Sequence, residues 1–248
     1  MLAHTDCYFD QIWDYKLGKL KKDLQYQADD KFLMHEAAVL CLAFSSDSEL
    51  LVSGDQEGCI KIWQVKTGKC IRKFPEAHPE GVTSVRFHGT MILSTSFDNT
   101  LRTHGIKSGK TLKIFRGHLS FVNAALMLSG GTFVATCSSD GTIKIFDAKT
   151  TECVNTVRPT MQDATGAAEK LGEAVTAINS IALLPRKQDA IVVCSRSPQL
   201  YIMNSSGEVS ATYSCENPKT TLLGCTISPR GEWIYAFGKP RVAFILLF

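Results

Sequence analysis

Three histidines recur along the chain, each followed by a hydroxyl residue and an acidic residue, the groups from which a nucleophilic catalytic triad is built. The histidines are His35, His78 and His118, spaced by 43 and 40 residues. The hydroxyls are Ser53, Ser94 and Thr136, and the acids that follow each of them by four residues are Glu57, Asp98 and Asp140. Recurrence in three copies favours structural hydrogen bonds over a single active site, because such groups alone do not make a site.

A fourth column accompanies the other three. Six residues after each acid stands an aromatic or imidazole side chain, namely Trp63, His104 and Phe146. Four matching columns over three copies are hard to obtain by chance. We therefore interpret the pattern as a sequence repeat of about forty residues.

Short strands joined by turns must position these side chains. In the third copy, the ranges Phe121–Met127, Phe133–Cys137 and Thr142–Phe146 alternate as half-buried strands do. Asp140-Gly141 is a strong hairpin signal, and a fourth strand follows at Glu152–Val157. Each copy therefore predicts one four-stranded antiparallel sheet, the unit of a propeller blade.

The columns resemble the WD40 repeat, whose His, Ser/Thr, Asp and Trp form a hydrogen-bonded network within each blade. Three departures from that pattern stand out: Glu57 where Asp is usual, and His104 and Phe146 where Trp is usual. No copy carries all four residue types at these positions. We therefore expect the network to be partial in every blade, with His35 to Glu57 the loosest of the three His–acid pairs.

The predicted fold class is all-β, an incomplete WD40 β-propeller of about four whole blades with partial blades at both ends. The segments are a partial blade and connection at 1–34, blades at 35–77, 78–117 and 118–158, a flexible loop at 159–174, a degenerate blade at 175–215 and a partial blade at 220–248. Nothing before the Trp13 strand is expected to supply the first strands of its blade. The apolar tail Val242–Phe248 is expected to promote association, and the chain is not expected to close a stable ring.

Several longer segments resemble the Smu-type ("suppressor of mec and unc") family of WD40 splicing factors, over about Ile12 to Phe237. They are KDLQYQA at 22–28, GIKSGKTLK at 105–113, FRGH at 115–118 and SPRGEWIY at 228–235. The resemblance implies a nuclear protein that works with the RED protein in the activating spliceosome. It also implies a helical LisH/CTLH region and seven blades, for which this chain has too few strands, so we expect it to be a fragment.

Composition bounds the function further. The 248 residues are 44% hydrophobic, with a net charge of +3 and both signs interspersed, which argues against a dedicated nucleic-acid groove. The cluster Lys107, Lys110, Lys113 and Arg116 could touch phosphate, although strand edges commonly carry such solvated lysines. Nine cysteines without a Cys-x-x-Cys pair suggest a reduced intracellular compartment. No stretch approaches the ~20 apolar residues that cross a bilayer.

The leading functional prediction is a non-catalytic interaction scaffold in pre-mRNA splicing. The alternative within the same class is a WD40 adaptor elsewhere, such as a ubiquitin-ligase substrate receptor. An enzyme or metalloprotein is disfavoured, because the three histidines lie one blade apart and no phosphate loop or nucleophile elbow is found. We predict no cofactor, metal, catalytic residue, small-molecule substrate or membrane partner, and direct RNA contact stays open.

A binding face is predicted at one rim of the blades. In the WD40 pattern, the residue before the turn acid and the residue before the first strand both face this rim. These positions hold Gln56, Phe97, Ser139, Gly81 and Phe121, with Arg196 in the degenerate blade. Phe97, Phe121 and Arg196 have the composition of a binding hot spot. The alternative is that Phe121 is a strand-end core residue and Phe97 packs on its own blade.

Overall fold

The computed structural model describes residues 2–6, 9–14, 16–29, 33–159, 176–185, 190–215, 217, 219–239 and 242–247. The predicted flexible loop 159–174 therefore lies outside the described residues, apart from Pro159. The chain divides into two compact units, Met1–Ile114 and Phe115–Phe248. Each unit is described by itself.

The first unit opens with sheet one, which is short and irregular. It comprises β1 (Leu2–Asp6), β2 (Phe9–Asp14), β3 (Lys19–Leu20) and β4 (Leu33–Met34), with the one-turn helix α1 (Gln25–Ala28) between β3 and β4. Strand β1 pairs with the whole of β2, from Leu2 opposite Trp13 to Asp6 opposite Phe9. The residues before the Trp13 strand therefore supply one strand where none was expected, because about five residues suffice for a strand and Leu2–Asp6 provides them.

Two regular four-stranded sheets follow in the first unit. Sheet two comprises β5 (Val39–Phe44), β6 (Leu50–Asp55), β7 (Ile60–Gln64) and β8 (Cys70–Phe74). Sheet three comprises β9 (Val82–His88), β10 (Met91–Ser96), β11 (Leu101–Gly105) and β12 (Thr111–Phe115). In both sheets the strands pair in sequence order, which is the simple meander that short turns between alternating segments predict.

The second unit repeats this plan. Sheet four comprises β13 (Val122–Met127), β14 (Phe133–Ser138), β15 (Ile143–Asp147) and β16 (Cys153–Val157). Sheet five comprises β17 (Ile178–Leu183), β18 (Ile191–Ser195), β19 (Gln199–Met203) and β20 (Val209–Ser214). Sheet six comprises β21 (Thr221–Ile227), β22 (Trp233–Lys239) and β23 (Val242–Leu247). The described residues of both units are thus antiparallel sheets with only single helical turns between strands, and the all-β prediction is confirmed.

The core of each unit lies between successive sheets, because alternate residues of one strand face opposite neighbours. Leu51 of β6 packs with Ile12 of sheet one, whereas the adjacent Val52 packs with Val85 and Ile92 of sheet three. In the second unit, sheet four packs on sheet five and sheet five packs on sheet six in the same manner. Each fully buried aliphatic side chain contributes about 2 kcal/mol, so both faces of the inner strands stabilise the stack.

A β-bulge recurs near the start of the first strand in sheets two to six. The pairing register skips one residue there, and the skipped residues are Leu40, Thr83, Asn123, Asn179 and Leu223. A bulge re-aims the side chain of the extra residue. In the second unit the re-aimed side chains reach the next sheet: Asn123 Nδ2 donates to Ile178 O at 2.8 Å, and Asn179 Nδ2 donates to Leu222 O at 2.9 Å. The bulges thus link one sheet to the next at the first strand.

Candidate functional site

The histidine of sheet two is the centre of a buried hydrogen-bonded network. His35 Nδ1 lies 2.8 Å from Asp55 Oδ2, and His35 Nε2 lies 2.7 Å from Ser53 Oγ. Since a carboxylate only accepts, Nδ1 carries the proton and Ser53 donates to Nε2. Trp63 Nε1 donates to the same Ser53 oxygen at 2.8 Å. Burial lowers the pKa of His35 although Asp55 acts against it, so the imidazole is neutral at pH 7.

The acid in this network is Asp55, and the prediction of Glu57 is wrong. Asp55 Oδ1 accepts hydrogen bonds from the backbone N–H groups of Glu57 and Cys59 at 3.0 and 2.9 Å, so one carboxylate closes the turn and contacts the histidine. Glu57 itself is exposed. The expectation of a partial network is also wrong here, because an acid two residues earlier completes the set with Trp63.

The network of sheet three is complete by a different substitution. His78 contacts Asp98 Oδ2 at 2.9 Å and Ser94 Oγ at 2.7 Å, and Ser94 Oγ contacts His104 Nε2 at 2.7 Å. Thr111 Oγ1 lies 3.0 Å from His104 Nδ1. Burial, with His78 and the Arg102 guanidinium nearby, lowers the pKa of His104 to about 3. A neutral His104 therefore donates from Nε2 as an indole would, and the expected partial network is complete here too.

Only the network of sheet four is partial, as predicted. His118 lies 2.9 Å from Asp140 Oδ2 and 2.7 Å from Thr136 Oγ1, which itself lies 3.2 Å from Lys144 O. Phe146 has no N–H to offer, so the threonine oxygen receives no ring donor. Burial raises the pKa of Asp140, but hydrogen bonds from Thr142, Leu119 and His118 outweigh it and hold that pKa at about 2.

These networks tie loops to strands rather than presenting a nucleophile. The hydroxyl residues Ser53, Ser94 and Thr136 are fully buried, so a substrate has no access to their oxygens. Each of these hydroxyl oxygens is hydrogen-bonded to the histidine of its sheet and to one further group, so the buried polar network is satisfied. The arrangement fits a structural role for all three histidines.

Sheet two also brings three metal-ligating side chains together. Ligand atoms of His35, Asp55 and Cys59 lie within 4.8 Å of one another, all buried. Both nitrogens of His35 are already hydrogen-bonded, and burial raises the pKa of the Cys59 thiol to about 11, so the thiol stays protonated. Cys59 occupies the loop position that Thr100 and Thr142 hold in the other sheets. The cluster therefore matches the structural loop rather than a ligand set.

A further carboxyl lies beside the network of sheet two. Asp10 of β2 is fully buried, and neither of its carboxyl oxygens has a hydrogen-bond partner among the described residues. Burial raises its pKa to about 7, although the adjacent Ser53 hydroxyl lowers it. Burial raises the pKa of the Cys41 thiol, and the negative charges of Asp10 and Asp55 raise it further. Sequence patterning missed this group, because Asp10 stands at an apolar position of a short strand.

Sheet five lacks the histidine network, and serines hold its turn. Ser195 Oγ lies 2.8 Å from Ser197 Oγ, and Ser197 Oγ accepts from the backbone N–H of Gln199 at 3.1 Å. Met203, in the aromatic column, is fully buried against sheet four. Apolar packing replaces the network in this sheet.

The predicted rim residues occur as backbone-linked pairs. In sheets two to five, the residue directly after the second strand donates its backbone N–H to the carbonyl of the residue directly before the first strand. These rim pairs are Gln56 to Ala38 at 2.9 Å, Phe97 to Gly81 at 3.0 Å, Ser139 to Phe121 at 2.9 Å and Arg196 to Ala177 at 2.7 Å. The rim is thus a repeated structural element in each unit, and each pair places two residues side by side.

The side chains at the rim differ between the two units. In the first unit, the Phe97 ring lies over Gly81 beside Leu40, since a Cβ at Gly81 would be 3.0 Å from the ring and 3.2 Å from Leu40 Cδ1. In the second unit, Phe121 is 45% exposed and Arg196 is exposed. Leu40, itself 43% exposed, was missed by the sequence reasoning because its side chain reaches the rim only through the bulge.

Comparisons with known proteins agree with this architecture. A family model described as "WD domain, G-beta repeat" matches residues 109–147, and one described as "Vps8 beta-propeller" matches residues 11–101. Over 95% of its own length, the chain is 44% identical to the WD40 repeat-containing protein smu1 of Dictyostelium discoideum. Over 76% of its own length, it is 29% identical to protein ROOT INITIATION DEFECTIVE 3 of Arabidopsis thaliana. It spans 43% of each of these relatives, less than half their length.

A solved structure shows the same fold. A chain in the crystal structure of a mitotic checkpoint complex superposes with a TM-score of 0.77 at 17% identity, covering 96% of this chain and 67% of that one. None of the helices formed by the described residues has the length and apolar character to span a bilayer.

Proposed function

We propose that this chain, a WD40-repeat protein of the β-propeller fold, is a non-catalytic scaffold that assembles proteins in pre-mRNA splicing in the nucleus. The 44% identity to the smu1 protein extends over nearly the whole chain and carries the proposal. The segments that resemble the Smu-type family lie on surface turns as well as on buried strands, as for GIKSGKTLK at 105–113 and SPRGEWIY at 228–235. Shared surface residues support shared partners, whereas shared core residues support only a shared fold.

The rim is the proposed contact surface. Its hydrogen-bonded pairs hold the backbone of the rim residues in place, so little backbone entropy is lost when a partner binds. The exposed Phe121 and Arg196 of the second unit, and Phe97 beside Leu40 in the first, are the kinds of side chain that dominate protein interfaces. A protein partner such as RED is the proposed occupant.

The test is affinity capture of the tagged chain from nuclear extract, followed by identification of the captured proteins. We expect splicing proteins, with RED among them, and a marked loss in the double variant Phe97→Ala with Phe121→Ala. Leu119→Ala is the matched control, because Leu119 is 84% exposed, two residues from Phe121, and outside the rim pairs. Capture of cullin-type subunits instead would support the ubiquitin-ligase alternative and overturn the splicing proposal.

Melting curves separate a surface effect from a folding effect. The double variant should melt within a few degrees of the parent chain, since neither ring belongs to a buried core cluster. If capture is lost only together with the cooperative transition, the rim is not the contact surface. If capture persists with both rings removed, the same conclusion holds.

A further inference from the structure

The first unit carries three closely related turns at the end of its sheets opposite to the rim. They join β2 to β3, β7 to β8 and β11 to β12, and a glycine with positive φ occupies the same place in each: Gly18 at 61°, Gly68 at 69° and Gly109 at 66°. The N–H of each glycine donates to the carbonyl four residues earlier, at 2.8 to 2.9 Å. The three turns, here called the lysine turns, therefore share one backbone conformation.

This shared conformation places lysines at matching positions. Each turn carries one exposed lysine two positions before its glycine and another immediately after it. The first set is Lys16, Lys66 and Lys107, and the second is Lys19, Lys69 and Lys110. Six lysines on three similar turns form a concentrated positive charge at one end of the unit. Such a surface steers and holds negatively charged partners.

Two side chains fix the turns to neighbouring sheets. Arg72 of β8 donates from Nε to Ile106 O and from Nη2 to Lys107 O, each at 3.0 Å, and so adds a further exposed cation beside the third turn. Tyr26 of α1 donates to Val65 O at 3.0 Å, and its ring lies where a Cβ at Gly68 would meet it at 2.5 Å. The second turn is thereby held to sheet one and the third turn to sheet two.

The protein's own acids offset the positive charge of this end only in part. Among the described residues, no ion pair engages Lys66, Lys69, Lys107, Lys110 or Arg72. The acids Asp14, Asp47 and Glu49 lie on turns of the same end and offset part of this charge, but the six lysines and Arg72 outnumber them. The corresponding turns of the second unit carry Lys149 with Asp147, Glu152 and Glu208, so the excess of positive charge belongs to the first unit alone.

We propose that the lysine turns dock an acidic segment of a partner polypeptide. Paired lysines on successive turns match carboxylates spaced along an extended chain, and the exposed Leu17 and Leu112 offer apolar contacts within the same surface. Single-stranded nucleic acid is less well suited, because sequence-independent binding needs exposed aromatic rings for base stacking. Tyr26, the aromatic side chain that packs on these turns, is buried. This surface is separate from the rim, so its failure and that of the proposed function are distinguishable.

Fluorescence anisotropy with the whole chain tests the proposal, using a labelled peptide of glutamate and leucine as the probe. Reversal of four charges, Lys66→Glu, Lys69→Glu, Lys107→Glu and Lys110→Glu, should weaken binding at least about tenfold, the sum of several exposed pairs. The matched control reverses four exposed cations of the second unit, Lys149→Glu, Lys219→Glu, Arg230→Glu and Lys239→Glu, and should change binding less than about twofold.

Three results would overturn the proposal. Equal weakening in both variants would show that net charge alone attracts the peptide. A loss of less than about threefold in the first variant would show that the lysine turns do not hold it. Tighter binding of oligouridine of the same charge than of the peptide would identify RNA as the occupant. Both variants alter only exposed side chains, and matching melting curves would confirm that folding is unchanged.

Discussion

The turns of sheets two and four perform one task with acids at different positions. In sheet two the acid follows the hydroxyl by two residues, Ser53 to Asp55, whereas in sheet four it follows by four, Thr136 to Asp140. Both carboxylates contact the histidine with one oxygen, at 2.8 and 2.9 Å, and a backbone N–H of the turn with the other. The requirement is a carboxylate at one point in space, and more than one sequence position can supply it.

The same two sheets differ in the ring that meets the hydroxyl. Trp63 donates to Ser53, while Phe146 donates nothing to Thr136 and packs edge-to-face on Phe115 at 5.7 Å between ring centroids. Sheet two therefore gains a hydrogen bond where sheet four gains aromatic packing. An edge-to-face aromatic pair and a net hydrogen bond contribute about 1 kcal/mol each, which explains how both versions can stabilise a sheet.

The largest expected effect comes from removing the acid of sheet two. Asp55→Ala leaves the His35 Nδ1–H and the N–H groups of Glu57 and Cys59 without their acceptor. Because His35 and Cys59 are buried, we expect a loss of about 4 kcal/mol in the free energy of unfolding. Glu57→Ala is the matched control and should change stability by less than about 0.5 kcal/mol. Urea denaturation measures both, and equal midpoint shifts would refute the assignment of Asp55.

The second prediction concerns Asp10 of sheet one, the buried carboxyl that lies beside the network of sheet two. In the folded state the pKa of Asp10 is raised from 3.8 to about 7, so folding retains a proton that the unfolded chain releases above about pH 4. Its contribution is therefore most favourable below about pH 4 and is lost progressively as pH rises from about 4 to about 7. The loss between pH 5 and pH 8 is about 3 kcal/mol.

The variant Asp10→Asn isolates this effect. Burial lowers the pKa of the network histidines, so their contribution has the opposite sign and is lost as pH falls below about 6.5. The informative quantity is therefore the difference between variant and parent at each pH. The variant's advantage in urea midpoint should grow steadily from pH 5 to pH 7 and change little above that. A constant difference across this range would contradict the raised pKa.

The third prediction sharpens the comparison from the side of sheet four. Asp140→Ala should cost about 2 kcal/mol, less than Asp55→Ala, because water can reach part of what is left behind. Leu119, whose N–H the carboxylate accepts at 2.9 Å, is largely exposed, whereas Cys59 of the sheet-two turn is buried. Hydrogen exchange of the amides of β13–β15 would localise the loss, and unchanged protection would mean that this network contributes nothing.

The smallest effect concerns the ring. Trp63→Phe gives sheet two the ring of sheet four and removes one donor to Ser53, so we expect a loss of about 1 kcal/mol. Trp13→Phe is the control, because the Trp13 indole donates only to the partly exposed Gln11 at 3.3 Å. Thermal melting of the two variants gives the comparison. An equal or larger shift for the control would show that the lost hydrogen bond to Ser53 does not account for the effect of Trp63→Phe.

The sequence predicted the strands well because apolar alternation is strong in this chain. In sheet four, the four predicted strands agree with β13 to β16 within one residue at each end. The partners of His78 and His118 were also predictable, since the acid column is in register in those copies.

Other features left no comparable signal. Asp55 was missed because aligning the copies by position selects Glu57 and ignores where a carboxylate can reach. The bulges were invisible for the same reason, as one skipped residue such as Leu40 alters pairing without altering composition. A buried acid such as Asp10 contradicts the pattern of its strand, so only the three-dimensional surroundings show that it lies inside.

The asparagine bulges of the second unit have a consequence for synthesis on the ribosome. Asn123 donates to a carbonyl 55 residues further along the chain, and Asn179 to one 43 residues further. At about 5–20 residues per second, the amide of Asn123 waits roughly 3–11 seconds for its acceptor to be translated. Nascent sheets four and five thus each keep this bond unformed until the next sheet emerges, and the order of translation becomes the order in which the two links close.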